Sequence, residues 1–130
     1  MKILLVEDDI MLNEMITEYI TSTGHAIKSV KTGNESLEIL DKEKFDLLIL
    51  DINLPDINGF SILEKMHEQK RMIPTIYISA LIDIEDISRA FDLGCFDYLK
   101  KPFHLKELTL RINKILKSRI VPQRHKRLSK

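Results

Sequence analysis

Acidic residues in this sequence fall where aliphatic runs stop. Lys2 to Val6 is followed by Glu7, Asp8 and Asp9, and Phe45 to Leu50 by Asp51, Asn53 and the turn Leu54-Pro55-Asp56. Thr75 to Ser79 ends on a hydroxyl beside Ala80, and Phe96 to Leu99 runs on into Lys101-Pro102. Brought to one rim, these ends assemble three or four carboxylates, a hydroxyl and an ammonium. Two carboxylates about 5 Å apart repel by roughly 3 kcal/mol at an effective dielectric of about 20, so such a group needs a counter-charge. A divalent cation supplies it. Carboxylates with a carbonyl and waters suit Mg²⁺, a hard ion that is completed by phosphate oxygens. An aspartate held against that ion can attack a phosphoryl group to form an acyl phosphate, while a lysine and a hydroxyl hold the other phosphoryl oxygens. Asp51, at the end of the continuously apolar Leu47-Leu48-Ile49-Leu50, is the best placed nucleophile.

The elements that must carry these residues follow from hydrophobic rhythm. Runs rich in Ile, Leu and Val alternate with helix-period segments about five times in the first 118 residues, which argues a parallel sheet with helices on both faces. Strands are expected at Lys2 to Val6, His25 to Val30, Phe45 to Leu50, Thr75 to Ser79 and Phe96 to Leu99, with the third at the centre because it is apolar throughout. Helices are expected over Ile10 to Ser22, Asn34 to Leu40, Gly59 to Gln69, Ile84 to Leu93 and Leu105 to Lys117. Gly24 and Gly94 serve as left-handed caps, and Pro122 marks a stop. Phe60, Leu63 and Met66 form one apolar stripe, and Leu105, Leu108, Ile112, Ile115 and Leu116 another. In such a doubly wound sheet all strands end at one edge, where ligands bind.

Four ordered motifs carry a family resemblance: Ile3-Leu-Leu-Val-Glu-Asp-Asp9, Leu50-Asp-Ile-Asn-Leu-Pro-Asp-Ile-Asn-Gly59, Ile78-Ser-Ala80 and Asp97-Tyr-Leu-Lys-Lys-Pro-Phe103. Together they resemble the receiver (CheY-like) domain of two-component response regulators over residues 2 to about 118. The resemblance implies an α/β, flavodoxin-like fold with five parallel strands in the order 2-1-3-4-5. It implies Glu7 and Asp8 as the acidic pair, with Asp8 a direct ligand of Mg²⁺, Asp51 as phosphoacceptor and metal ligand, and Asn53 giving a backbone carbonyl to the metal. It also implies Ser79 as switch hydroxyl, Tyr98 as aromatic rotamer switch, and Lys101 as the lysine before a cis proline, with Lys100 left on the surface. The implied partner is a sensor histidine kinase. The protein is then a phosphoacceptor that promotes its own phosphorylation and slow dephosphorylation, not a conventional turnover enzyme. Leu81, two residues after the switch hydroxyl, is expected to shield the phosphoryl group. Asp97, Glu107 and Arg111 resemble the charged face of OmpR/PhoB-type regulators, which implies a homodimer on phosphorylation. The resemblance places a basic partner for Glu107 on the fourth helix, where Arg89 is the one available, its register left open by the sequence.

Other readings use the same residues. A flavodoxin relative shares the fold but needs small hydroxyl or glycine residues after the first strand, where Glu7-Asp8-Asp9 would repel a phosphate. A phosphatase of the haloacid dehalogenase type needs a second acid two residues after the nucleophile, where Asn53 stands. A phosphorylation-independent, receiver-like interaction module remains the alternative. Asp9 alone reads as helix-dipole support. His25, His67, His104 and His125 have no ligand spacing and read as surface or capping residues.

Composition sets the remaining bounds. At 130 residues, 44% hydrophobic and 31% charged, the chain has the makings of one globular domain, and no apolar run approaches a membrane span. Met1 leads directly into a strand and three acids, unlike a signal peptide, and the single Cys95 fits a reducing, cytoplasmic setting as buried filler. The net charge of zero conceals a division. Residues 117 to 130 carry six basic side chains and no acid, leaving 14 basic against 20 acidic in residues 1 to 116. The expected organisation is a receiver over 1–118 and a basic linker or tail over 119–130. The tail is expected to lead toward an effector domain absent here, through which alone DNA would be contacted.

Overall fold

The computed structural model describes residues 1–80 and 83–120, without the side chains of residues 95 and 118–120. Expectations resting on Leu81, the Cys95 thiol, Pro122 and the basic segment after residue 120 lie outside the described residues. Five strands alternate with five helices: β1 (Lys2–Val6), α1 (Ile10–Ser22), β2 (Ala26–Val30), α2 (Gly33–Lys42), β3 (Leu47–Asp51), α3 (Gly59–Glu68), β4 (Thr75–Ser79), α4 (Ile84–Asp92), β5 (Cys95–Lys100) and α5 (Leu105–Ile120). The strands form one parallel sheet in the order β2-β1-β3-β4-β5, so β3 is central as its apolar run requires.

Alternation along each strand divides the interior into two cores. Leu4 and Val6 of β1, Leu48 and Leu50 of β3 and Tyr77 of β4 face one way. They are covered by Leu40 of α2, Phe60, Ile62, Leu63 and Met66 of α3, and Ala90 of α4. Ile3, Leu5, Leu47, Ile49, Ile76 and Ile78 face the other way and meet Ile16 and Ile20 of α1 and Leu108, Ile112 and Ile115 of α5. Leu116, expected in the second stripe, is only half-buried. Its position next to Ile115 places it a hundred degrees around the helix from that core residue.

Polar side chains at the helix starts fix where the loops leave the sheet. Asp9, Thr32, Asn58 and Asp83 each accept a main-chain N–H of the first turn of α1, α2, α3 and α4, at 3.1, 3.1, 2.8 and 3.0 Å. Gly24 and Gly94 follow α1 and α4 with φ of 93° and 91°, the left-handed conformation expected of them. Three strands differ from their expected bounds, β5 by one further residue at each end. β2 starts at Ala26, leaving His25 in the preceding turn. β3 starts two residues later than the apolar pattern and ends one later, so Asp51 is its last residue. Phe45 packs into the core without joining the ladder. Helix α5 continues to Ile120, across the expected boundary after residue 118.

Leu48 sits at the centre of this arrangement with no exposed surface, between β1 and β4. Leu48→Ala is expected to lower unfolding stability in urea by about 3 kcal/mol, the usual cost of such a cavity. Met11→Ala, on a side chain 73% exposed, should leave the midpoint within about 0.5 kcal/mol of wild type.

Candidate functional site

The C-terminal ends of β1 and β3 lie side by side and bring the acidic residues together. One carboxylate oxygen from each of Glu7, Asp8 and Asp51 lies within 4.8 Å of the others. Their burial is graded, with Glu7 wholly enclosed, Asp51 nearly so and Asp8 open to solvent. Three carboxylates this close, with one facing water, are a hard-oxygen donor set that suits a small divalent cation. Asp9 is not among them. Its carboxylate caps α1, and its own N–H donates to Glu7 Oε2 at 3.1 Å. Asp56, counted with the rim from its place in the sequence, turns away instead and accepts the N–H groups of Gly33 and Asn34. The rim cluster thus holds three carboxylates among the described residues.

Lys101 enters this cluster from the end of β5. Its Nζ stands 2.7 Å from Glu7 Oε1 and 3.0 Å from Asp51 Oδ2, and its main-chain N–H donates to the Ser79 carbonyl at 2.8 Å. The Lys101-Pro102 bond is cis, and Lys100 is exposed. The buried Ser79 hydroxyl accepts a hydrogen bond from Asn53 Nδ2 at 3.2 Å, while the Asn53 N–H donates to Asp51 Oδ1 at 3.0 Å. Asn53 therefore touches both the Asp51 carboxylate and the Ser79 hydroxyl. Close packing keeps this geometry: a Cβ at Gly59 would fall 2.7 Å from the Asp51 carbonyl oxygen and 2.8 Å from Ile52 Cα.

Burial drives the electrostatics. It pushes the Glu7 carboxyl up to about 7, with the Asp51 charge adding to the effect, against the contacts from Lys101 and the Asp9 N–H. Burial also works against the charged form of Lys101. The hydrogen bonds and charges of Glu7 and Asp51 outweigh it and raise that pKa.

Residues 3–113 match the family described as the response regulator receiver domain. This chain belongs to that family. The receiver domain is 39% identical over 114 residues to the transcriptional regulatory protein CrdR of Helicobacter pylori, covering 87% of this chain and 54% of CrdR. It therefore spans about half the length of that curated relative. Among solved structures it resembles the non-phosphorylated HemR receiver domain of Leptospira biflexa, with 34% identity, a TM-score of 0.83, and coverage of 88% and 92% of the two chains. It also resembles the BeF3-activated receiver domain of DrrB, an OmpR/PhoB homologue of Thermotoga maritima, with 31% identity, a TM-score of 0.79, and coverage of 89% and 97%. The expected fold and strand order are those of the family. No helix among the described residues is long and apolar enough to cross a membrane.

Away from the rim, the receiver domain places Tyr98 half-buried over Tyr77, with ring centroids 6.4 Å apart; Tyr77 in turn meets Phe60 edge-on at 5.3 Å. Asp97, Glu107 and Arg111 come together within one molecule. The Arg111 guanidinium lies 2.5 Å from Asp97 and 3.4 Å from Glu107. Arg89 does not join them. It lies over the Phe60 ring at 4.7 Å and pairs with Glu64 of α3 at 2.8 Å, so it is spent on the neighbouring helix. Sequence reasoning passed over Asn13, whose buried amide donates to the Glu7 carbonyl at 2.9 Å. Its signal was present: a polar residue in register with Ile16 and Ile20 on the inward stripe of α1.

A carboxyl raised from 4.5 to about 7 binds its proton more tightly in the folded state. The stability this contributes is complete below pH 4.5 and is lost as pH rises through 7. Metal-free protein is therefore expected to lose on the order of 2 kcal/mol between pH 5 and pH 8 in urea denaturation, and Glu7→Gln to flatten that slope.

Proposed function

We propose that this receiver domain accepts a phosphoryl group on Asp51 from a sensor histidine kinase in a Mg²⁺-dependent reaction and uses it to change its α4–β5–α5 surface. The observation that carries this reading is the convergence of Glu7, Asp8 and Asp51 within 4.8 Å, with Lys101 bonded to two of them. Asp8, Asp51 and the Asn53 carbonyl are the groups that would hold the ion, with Glu7 behind them on Lys101. A bound Mg²⁺ would neutralise the carboxylates and the incoming phosphoryl oxygens.

Each residue then has a role that follows from its position. An oxygen of Asp51 attacks phosphorus as the bond from phosphorus to the donor histidine nitrogen breaks, leaving an acyl phosphate on the protein. Lys101, already 3.0 Å from Asp51 Oδ2, moves to a phosphoryl oxygen. The Ser79 hydroxyl turns to another phosphoryl oxygen and gives up its contact with Asn53, and Tyr98 follows into the space Ser79 leaves. Asn53, once released, can bond an attacking water, so the acyl phosphate is lost slowly. Beside the site, α1 exposes Met11 and Met15, which with Leu12, Pro102 and Phe103 line a groove of about 390 Å³. An apolar patch at the mouth of the site fits docking of the kinase.

For output, Asp97, Glu107 and Arg111 form the face through which two phosphorylated copies pair, with Arg111 exchanging its internal partners for those of the second copy. Control of transcription, named for CrdR, would rest with a further segment of the kind that relatives carry beyond the matched half. Residues 119–130 would serve as the link. A cytoplasmic location follows from the same reading.

Acetyl phosphate with Mg²⁺ should add one phosphoryl mass to the protein, and EDTA or Asp51→Asn should abolish it. Labelling that survives either change would overturn the assignment. Ser79→Ala should still be labelled but lose the beryllofluoride-induced change in Tyr98 fluorescence. Sedimentation with beryllofluoride should show a salt-sensitive dimer at tens of micromolar that Arg111→Glu abolishes, because exposed ion pairs of about 0–1 kcal/mol each set its register.

A further inference from the structure

Asp56 is an acid of the site loop that serves another element. Its Oδ1 accepts the Gly33 N–H and its Oδ2 the Asn34 N–H, both at 2.8 Å, so it grips the first turn of α2 with two oxygens. Ile57 closes the same junction, since a Cβ at Gly33 would stand 2.2 Å from Ile57 Cγ1. Burial pushes the Asp56 carboxyl up, but the N–H groups of Asn34, Gly33, Ile57 and Asp56 itself outweigh it and hold the carboxyl below its ordinary range.

This grip completes a path between the two sides of the acidic cluster. Val30, the last residue of β2, accepts the Glu7 N–H at 3.1 Å and Asn13 Nδ2 at 3.4 Å, and two residues later Thr32 caps α2. A path therefore runs from the Glu7 main chain through Val30 and the start of α2 to the Asp56 carboxylate at the tip of the loop that follows Asp51. That loop is closed at its neck without Asp56. The Gly59 N–H donates to the Ile52 carbonyl at 2.8 Å, and Asn53 and Asn58 form an antiparallel bridge. Asp56 thus ties the closed loop to α2 and takes no part in closing it.

We infer that Asp56 is a positioning residue for cation binding, fixing the loop that carries Asn53 relative to Glu7 and Asp8 by clamping it to α2. The inference rests on the Mg²⁺ site proposed above. Mg²⁺ demands near-octahedral geometry at short distances, so a loop free to shift weakens it more than it would a larger ion.

Titration of metal-free protein with Mg²⁺ alone, followed by backbone amide shifts, tests this. Asp56→Ala should weaken Mg²⁺ binding about tenfold, the low end of the loss seen for outer partners of a metal site. Asp56→Asn, which keeps one acceptor, should fall between it and wild type. In phosphorylation by acetyl phosphate the half-saturating Mg²⁺ should rise while the rate at saturating Mg²⁺ stays at the wild-type value. A merely structural role would lower the melting temperature of the metal-free protein and leave Mg²⁺ affinity unmoved, and that result overturns the inference. If Asp56→Ala does not fold, unchanged affinity in Asp56→Asn overturns it equally. Wild-type protein that takes up no Mg²⁺ would remove the proposed site and this inference together, whereas binding by wild type and equal binding by the variants would remove this inference alone.

Discussion

A single ammonium stands against two enclosed carboxylates. Lys101 is 2.7 Å from Glu7 and 3.0 Å from Asp51, in a place where neither acid has appreciable contact with water. Buried charges of like sign are costly without a partner, so the rest of the molecule is constrained to deliver that lysine. It does so from the far side of the sheet: β5 pairs with β4, the Lys101 main chain is bonded to the Ser79 carbonyl, and the lysine side chain crosses to β3 and β1. The sheet order thus has an electrostatic consequence, because the pairing of β5 with β4 is what brings Lys101 to Glu7 and Asp51.

Much of this was legible in the sequence because the chemistry sits where periodicity changes. The bounds of β1 and β4 coincide with their apolar runs, and Asp51, Ser79 and Lys101 stand at the ends that those runs predict. What escaped is what depends on direction and on distant partners. Asp56 lies in the same turn as Asn53, but its hydrogen bonds go to residues more than twenty positions earlier, and no local pattern reveals them. Arg89 finds its partners on α3, 25 residues from Glu64, because the ring of Phe60 offers its face at that point. Phe45 reads as strand from its type, yet it fills the core from the loop before β3.

The charged cluster on β5 and α5 shows how a surface can be satisfied and still available. Arg111 is shared between Asp97 and Glu107, and both acids raise its pKa, so the guanidinium stays charged in any setting it meets. These pairs are partly exposed, and water offsets most of what they gain. Exchanging one set of carboxylates for an equivalent set therefore costs little, and the cluster stabilises the domain only weakly.

The division of the interior into two cores has an evolutionary consequence. Ile3 and Leu5 pack beneath α1 and α5, while Leu4 and Val6, their neighbours in the chain, pack beneath α2, α3 and α4, and the sheet lies between. Side chains on one side share few neighbours with those on the other, so substitutions in the two layers should combine nearly additively. Helix α1 can then drift in sequence under one selective pressure while α3 and α4 drift under another. The fold behaves as two heritable surfaces on a common plate, joined at the rim where the strands end.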